Sequence, residues 1–173
     1  MNNPDKRSRP LFALAVATVF GIGYVPFAPG TFGSAAGLAL WALLPVSAVV
    51  QACAIGGVFA IGAWSGGIAE RHYEQVDPSY VVIDEVLGML ITLFMVPVGW
   101  RGAVLGFLVF RVADVVKPYP ADRLERVHGG VGVMADDAMA AIYANLALRL
   151  GIWLSGRLVI WSFVVQLADP VTR

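Results

Sequence analysis

Long apolar runs separated by short polar connections dominate the chain, and this pattern predicts an all-α protein. A helix needs about 20 apolar residues to cross a bilayer, and several of the runs approach or exceed that length. We therefore expect a polytopic membrane helical bundle with short, partly re-entrant helices. The runs are Leu11–Tyr24, Ala35–Gly67, Val81–Val98, Ala103–Val116 and Ala138–Ala168.

Three of these runs do not fit a single membrane-crossing helix. The first is short for a crossing, so we expect it to be re-entrant or to lie in the interface. Ala35–Gly67 is too long for one ordinary span, and we expect two short helices that turn near Val50-Gln51. Pro45 would kink the first of them or mark the turn itself. The last run divides naturally at Gly151.

Five carboxylates are predicted to converge because of how the two central runs are joined. Only Gly99–Gly102 separates these runs, so their helices should be antiparallel neighbours. Asp84 lies 14 residues before Val98 and Asp114 lies 13 residues after Arg101, which places both about 20 Å along their helices from the turn. No spanning segment separates Asp114 from Asp136-Asp137, so that pair returns to the same side. The converging acids are Asp84, Glu85, Asp114, Asp136 and Asp137.

Composition agrees with a membrane location. The 173 residues are 58% hydrophobic and 14% charged, with a mean hydropathy of +0.75, whereas soluble domains carry about 25% charged residues. A net charge of zero gives no broad basic surface for nucleic acid. The single cysteine, Cys53, excludes disulfide frameworks and cysteine metal sites. We predict one membrane-embedded domain over residues 1–173, with a flexible cytoplasmic N-terminus over residues 1–10. We expect that N-terminus to belong to the mature protein, because no small-residue cleavage site follows the first run.

The distribution of basic residues predicts which side of the membrane the acids face. Cytoplasmic connections carry an excess of Lys and Arg, and the turn opposite the acids offers only Arg101. Arg149 and Arg157, in or near the last run, depart from this rule. We therefore expect the acids on the cytoplasmic face. The basic residues that flank their level are Lys6, Arg7, Arg9, Arg71, Lys117, Arg123 and Arg126.

Adjacent acids beside apolar runs indicate a divalent metal site. Asp84-Glu85 and Asp136-Asp137 would repel one another without a cation, and Mg²⁺ favours carboxylates together with water and phosphate oxygens. Adjacent helical residues point about 100° apart, so within Asp84-Glu85 one acid would contact the metal and the other support it. The alternative is that the acids cap their helices and complement the helix dipole.

Arg111, Asp114 and Lys117 are spaced three residues apart, so they share one side of a helix that Pro118 ends. The functional interpretation is phosphate binding, because Arg offers a planar fork of donors and Lys a compact charge. The alternative is internal salt bridging, with Arg111 and Lys117 reaching towards the interface.

Two weaker features lie outside these groups. Gly30, Thr31 and Ser34 belong to a glycine-rich turn before a helix, which would bind an anion or be an ordinary capped turn. His128 directly precedes a glycine pair and is a candidate proton carrier. The remaining loop acids are interpreted as solvated charges: Asp77, Asp122 and Glu125.

Four motifs occur in order between about Gly21 and Ala144, and together they resemble the phosphatidylglycerophosphatase A family of bacterial membrane lipid phosphatases. The chain departs from the family pattern at Ala113, where an aromatic residue is common, and at Ala141, where Gly is frequent. Both departures leave the polar set intact. The motifs are Gly23-Tyr24-x-Pro26-x-Ala28-Pro29-Gly30-Thr31-x-Gly33-Ser34, Ile83-Asp84-Glu85-x-x-Gly88-Met89, Phe110-Arg111-x-x-Asp114-x-x-Lys117-Pro118-x-Pro120 and Gly129-Gly130-x-Gly132-Val133-Met134-x-Asp136-Asp137-x-x-Ala140.

The resemblance implies a Mg²⁺-dependent phosphatase that converts phosphatidylglycerophosphate to phosphatidylglycerol and inorganic phosphate in the bacterial inner membrane. Its partners would be the phospholipid substrate and membrane lipids, with no nucleic acid, and the oligomeric state is left open. Within this interpretation the polar residues take separate roles. The metal ligands are Asp84, Asp136 and Asp137; the phosphate-binding residues are Arg111, Lys117, Gly30, Thr31 and Ser34; Asp114 or Glu85 is the general base or orients the cations.

Two other interpretations place the chain in a different functional class of membrane protein. Broken helices and intramembrane charges also occur in transporters and channels, but here the acids cluster at one interface and no inverted repeat is apparent. A structural membrane scaffold would not need five clustered acids. For a phosphatase we expect direct attack by a metal-activated water, and a covalent aspartyl phosphate is the alternative.

Overall fold

The computed structural model describes residues 10–119, 121–124, 127 and 129–168, and within them there are helices and connections but no β-strand. The prediction of an all-α fold is confirmed. Residues 1–9 and His128 lie outside the described residues. The elements are α1 (Leu11–Ala17), a 3₁₀ turn (Ile22–Tyr24), α2 (Pro29–Leu43), α3 (Ala48–Tyr73), α4 (Ile83–Thr92), α5 (Trp100–Val116), α6 (Ala121–Leu124) and α7 (Gly130–Ala168).

Helices α3 and α7 are long and apolar enough to cross a membrane. The 26 residues of α3 and the 27 of Gly130–Gly156 each correspond to about 40 Å. Only 17% of the most apolar 18-residue stretch of α3 and 22% of that of α7 are buried within the fold, whereas the core helix of a soluble protein is mostly buried. This exposure indicates membrane association, and the number of crossings by the other helices stays a prediction.

The short helix α4 lies at the centre of the fold. It packs against α2, α3, α5 and α7, and nearly all of its side chains are buried. Two apolar clusters meet on it. Met89 packs with Phe110 and residues of α7, and Leu87 packs with Met134 and residues of α1 and α3. Because neighbouring helices surround α4, acids on it are withdrawn from bulk solvent.

Helix α4 ends earlier than its apolar run predicts. The run Val81–Val98 predicts a longer helix, but the helix ends at Thr92 and residues 93–99 form the connection to α5. This connection is longer than the predicted turn Gly99–Gly102, since α5 already begins at Trp100. Pro97 lies within it, and a proline has no backbone N–H to continue a helix.

Side chains of the long helices satisfy the backbone at the end of α4. The last carbonyl groups of a helix lack partners within it, and leaving them unpaired away from water is costly. The short α4 is therefore stabilised by specific polar contacts. The bonds run from Asn145 Nδ2 to the carbonyl groups of Ile91, Thr92 and Phe94 (3.0, 3.0 and 3.1 Å), from Arg149 Nη2 to those of Phe94 and Met95 (3.0 and 3.1 Å), and from the Met95 N–H to Gln51 Oε1 (3.1 Å).

Replacing Asn145 with alanine is expected to destabilise the protein by about 1–3 kcal/mol, because partly buried carbonyl groups lose their donor. Thermal unfolding in detergent measures this. Tyr143→Phe is the matched control on the same helix, since it deletes one exposed hydrogen bond to the Tyr119 carbonyl group and should cost about 0.5 kcal/mol or less. Equal melting temperatures for the two variants would contradict this role of Asn145.

Two other predicted boundaries change. Ala35–Gly67 does contain two helices, but they meet at residues 44–47, with Pro45 in the turn, and α3 is long rather than short. Val50-Gln51 lies in the first turn of α3. The predicted division at Gly151 is wrong, because α7 continues through it. A lone glycine costs a helix only about 1 kcal/mol and does not by itself end it.

Candidate functional site

A cavity of about 260 Å³ lies where several helix ends meet: the beginnings of α2 and α4, the end of α5 and the first two turns of α7. All five carboxylates that the sequence predicts to converge line it, together with two cationic side chains. The lining residues are Ala28, Pro29, Gly30, Asp77, Ser79, Val81, Asp84, Glu85, Arg111, Asp114, Lys117, Asp136 and Asp137.

Helix α4 supplies Asp84 and Glu85 from its first turn. Asp84 is buried, and its Oδ1 accepts the backbone N–H of Glu85 at 3.1 Å. Glu85 Oε2 is buried and has no hydrogen-bond partner among the described residues. The N-cap residue is Val82, so capping does not account for this pair, although both acids complement the helix dipole.

Helix α7 supplies Asp136 and Asp137 from inside the helix. The helix begins at Gly130, so the pair lies about two turns further on and cannot cap it. The capping alternative is therefore wrong for this pair. Each aspartate is only 3% exposed, and within the described part of the chain Asp137 Oδ2 has no hydrogen-bond partner.

Three of the acids form a compact group of oxygens. Asp84, Glu85 and Asp137 each offer one carboxylate oxygen, and these atoms lie within 4.8 Å of one another. Asp136, which the sequence interpretation placed among the metal ligands, is not in this group. Its Oδ2 accepts a hydrogen bond from Lys117 Nζ at 2.8 Å, and its Oδ1 is buried without a hydrogen-bond partner among the described residues.

Burial makes the charged forms of the α4 acids costly. Desolvation raises the pKa of Asp84 well above its ordinary value, and the charge of Glu85 adds to this effect. Desolvation, with the charge of Asp137, raises the pKa of Glu85 to about 8. Both acids belong to α4, which has 10 residues and is too short to cross a bilayer. A divalent cation bound to these oxygens would compete with protons for them.

Arg111 lies between α2 and two acids. Its Nη1 is 2.7 Å from Asp114 Oδ2 and 3.7 Å from Glu85 Oε1, and it donates to Ser34 Oγ at 3.4 Å. The spacing of Arg111 and Asp114 therefore does produce an ion pair within α5, as the salt-bridging alternative expects. Lys117 Nζ pairs with Asp136 of α7.

The beginning of α2 packs closely on this ion pair. A Cβ atom on Gly30 would overlap the Glu85 carboxylate and press on the Arg111 guanidinium, so a larger residue there would displace the ends of these two side chains. Ser34 is buried, and its hydroxyl donates to the Gly30 carbonyl group at 2.8 Å while accepting from Arg111. Since its hydrogen is already used, Ser34 is placed to hold Arg111. Thr31 is not among the described residues that line the cavity.

The sequence analysis missed two residues that line the cavity, Asp77 and Ser79. Asp77 was interpreted as a solvated loop charge, but it is half-buried and has a φ of +45°, a conformation uncommon outside glycine, asparagine and aspartate. The available signal was its position only seven residues before Asp84. So short a connection keeps Asp77 near the beginning of α4.

Comparison with known proteins identifies the family. A family model described as Phosphatidylglycerophosphatase A matches residues 15–152, which include every residue that lines the cavity. The chain is 37% identical over 142 residues to phosphatidylglycerophosphatase A of Escherichia coli, covering 79% of this chain and 80% of that protein. It is 35% identical over 156 residues to phosphatidylglycerophosphatase A of Haemophilus influenzae, covering 85% and 93%.

A third relative carries a different name. A Bacteroides thetaiotaomicron protein named as a candidate phosphatidylinositol-3-phosphatase is 38% identical over 159 residues, covering 86% of this chain and 99% of that protein. No solved structure matches the chain. The chain belongs to the phosphatidylglycerophosphatase A family.

Proposed function

We propose that this chain hydrolyses phosphatidylglycerophosphate to phosphatidylglycerol and inorganic phosphate with Mg²⁺ at a membrane interface. The observation that carries this proposal is the grouping of Asp84, Glu85 and Asp137 with Arg111 and Lys117 in one cavity. A phosphomonoester dianion needs positive charge on its oxygens, which a divalent cation and two cationic side chains would provide. Two relatives are named for this activity, which supports the same substrate here.

The donor set fits Mg²⁺. All the candidate ligands are carboxylate oxygens, which Mg²⁺ prefers, and Glu85 Oε2, Asp136 Oδ1 and Asp137 Oδ2 are buried without a protein hydrogen bond in the described residues. When bound, the ion would neutralise phosphate charge and lower the pKa of a water molecule. The geometry favours Glu85 over Asp136 as the third ligand. Asp136 would instead hold Lys117.

Arg111 and Lys117 would bind the phosphate oxygens. Arg111 is held by Asp114 and Ser34, and Lys117 is held by Asp136, so both cations are ordered before a substrate arrives. Cations fixed in advance stabilise the charge of a transition state without a cost of reorganisation. This arrangement gives the phosphoryl group one position beside the three carboxylates.

Asp114 is the acid that we assign to proton transfer. It is buried at the edge of the cavity, and unlike the trio it is not required as a metal ligand. Asp114 would take a proton from the attacking water as the water oxygen bonds to phosphorus. The bond from phosphorus to the glycerol oxygen then breaks, and that oxygen would receive the proton that Asp114 took up, which gives the alcohol and restores the carboxylate. A covalent aspartyl phosphate remains the alternative route.

The proposal places the protein in the bacterial inner membrane as a multi-pass protein with the cavity on the cytoplasmic face. The apolar surfaces of α3 and α7 support contact with lipids. The excess of basic residues at the level of the acids supports the cytoplasmic orientation. A substrate whose phosphate lies at the interface would then reach the cavity from the bilayer.

Phosphate release from phosphatidylglycerophosphate in detergent micelles tests the proposal. The purified chain is expected to release phosphate with Mg²⁺, and excess EDTA should lower the rate by about 10²-fold or more, because the three carboxylates would remain unneutralised. Phosphatidylinositol 3-phosphate is the comparison lipid, and we expect slower hydrolysis of it. A folded protein without Mg²⁺-dependent release from either lipid would contradict the phosphatase proposal, whereas faster release from the inositol lipid would reassign the substrate.

A further inference from the structure

We infer that Glu70 is a positioning residue for the acidic cavity, because its carboxylate joins two chain segments that carry cavity residues. Glu70 lies in the last turn of α3. Its Oε2 accepts the backbone N–H of Gly129 at 2.7 Å, and its Oε1 accepts that of Asp77 at 3.3 Å. The inference rests on the proposed function, since it assigns Glu70 a part in the same site.

The bond to Gly129 fixes where α7 begins. Gly129 has a φ of +95°, and α7 starts at the next residue. Gly130 lies so close to α3 that a Cβ atom there would overlap the carbonyl group of Ala63. Asp136 and Asp137 follow about two turns later on the same rigid helix. A rotation or shift of the beginning of α7 would therefore move both aspartates.

The bond to Asp77 fixes the segment that enters α4. Asp77 lines the cavity. Its positive φ costs about 1–3 kcal/mol of conformational energy, which surrounding contacts must offset. Five residues further on, and two residues before Asp84, the N–H of Val82 donates to the carbonyl group of Ala17 at 2.9 Å. The segment is thus anchored at both ends, and Glu70 supplies the first anchor.

Glu70 acts through these neighbours and not on the substrate. It is not among the described residues that line the acidic cavity, and it borders a separate cavity of about 490 Å³ together with Arg71, Glu74 and Gly129. One side chain therefore relates the acids of α7 to those that precede and begin α4. Residues that orient metal ligands in this way typically change metal affinity or activity by about 10- to 100-fold when they are replaced.

Glu70→Gln is the variant that tests this role. Its amide keeps one acceptor oxygen but presents an NH₂ group, so only one of the two backbone donors can be bonded. We expect kcat for phosphatidylglycerophosphate to fall about 10- to 100-fold, with KM changing less than about threefold. Hydrogen exchange at the Asp77 or Gly129 amide should become faster without substrate. Mn²⁺ affinity of the detergent-solubilised protein should fall about tenfold.

Glu74→Gln is the matched control, because it makes the same change on an exposed side chain one turn further along. It should behave as wild type. Glu70→Gln with the kcat, exchange and Mn²⁺ affinity of Glu74→Gln would overturn the inference. A wild type that fails to hydrolyse the lipid, while Glu70→Gln still accelerates exchange and weakens Mn²⁺ binding, would reject the proposed function but keep the positioning role.

Glu70→Asp covers the case in which the glutamine variant does not fold. It keeps both acceptor oxygens on a side chain one methylene shorter, which cannot reach both donors equally well. A lower kcat at an unchanged melting temperature supports the inference. Wild-type kcat together with wild-type amide exchange at Asp77 and Gly129 overturns it.

Discussion

Replacing Asp137 with asparagine is expected to lower kcat for phosphate release on the order of 10³-fold while leaving the protein folded. The side chain keeps its shape but loses the charge of an oxygen that faces Asp84 and Glu85 within 4.8 Å. A neutral amide is a poor ligand for Mg²⁺. Without metal, the same change removes a buried carboxyl group that must either carry an unfavourable charge or take up a proton when the protein folds. The melting temperature in EDTA should therefore rise. A gain in stability together with a loss of activity is expected where residues of a functional site destabilise the fold.

Activity and thermal unfolding of Asp137→Asn are measured on the same preparation. Glu74→Gln serves as the control, because it neutralises an exposed acid outside the cavity. It should change neither quantity. Near-wild-type activity of Asp137→Asn, or a melting temperature in EDTA well below that of wild type, would show that Asp137 contributes to packing and not to a metal site.

Replacing Arg111 with lysine is expected to reduce kcat/KM about 10²-fold, although the positive charge remains. The guanidinium of Arg111 contacts Asp114, Glu85 and Ser34 at once, and an ammonium group cannot reproduce this planar arrangement. The retained charge should prevent the large destabilisation of about 3–5 kcal/mol that follows when a buried ion pair loses one partner. Steady-state kinetics on lipid micelles, with thermal unfolding, separate the two effects.

Arg101→Lys is the matched control on the same helix. Arg101 is exposed in the first turn of α5, where its guanidinium lies over the Trp100 ring, 5.4 Å from the centroid. That end of α5 carries none of the described cavity residues, so kcat/KM should stay within about twofold of wild type. Similar losses for Arg101→Lys and Arg111→Lys would contradict phosphate binding by Arg111.

The sequence predicts the fold class and the meeting of the acids, but not the lengths of the helices. Apolar runs and a short connection were sufficient to bring Asp84 and Asp114 together. The early end of α4 was not predictable, because it depends on Asn145 and Arg149, which lie about 50 residues further along the chain. Apolar periodicity carries no information on such partners. The continuity of α7 through Gly151 is likewise decided by the helix as a whole.

The composition of the site was more predictable than its geometry. Motif order and acid pairs pointed to the five carboxylates, Arg111 and Lys117. Which acids face one another could not be derived from the sequence. A shift of one position along a helix turns the side-chain direction by about 100°, so a small error in a predicted helix boundary changes which side chains meet. Glu85, and not Asp136, belongs to the compact trio, and which acids bind a metal stays a prediction. Asp77 was missed because it lies in a connection that has no periodic pattern, and Glu70 was missed because it bonds to the backbone of that connection from the polar last turn of α3.

The most direct test of this account is whether a divalent cation binds at Asp84, Glu85 and Asp137. Mn²⁺ titration of the detergent-solubilised protein, followed by electron paramagnetic resonance of the free ion, measures it. We predict saturable binding to wild type and to Glu74→Gln, competition by Mg²⁺, and affinity at least about tenfold weaker for Asp137→Asn. Equal Mn²⁺ affinity of wild type and Asp137→Asn would contradict the account.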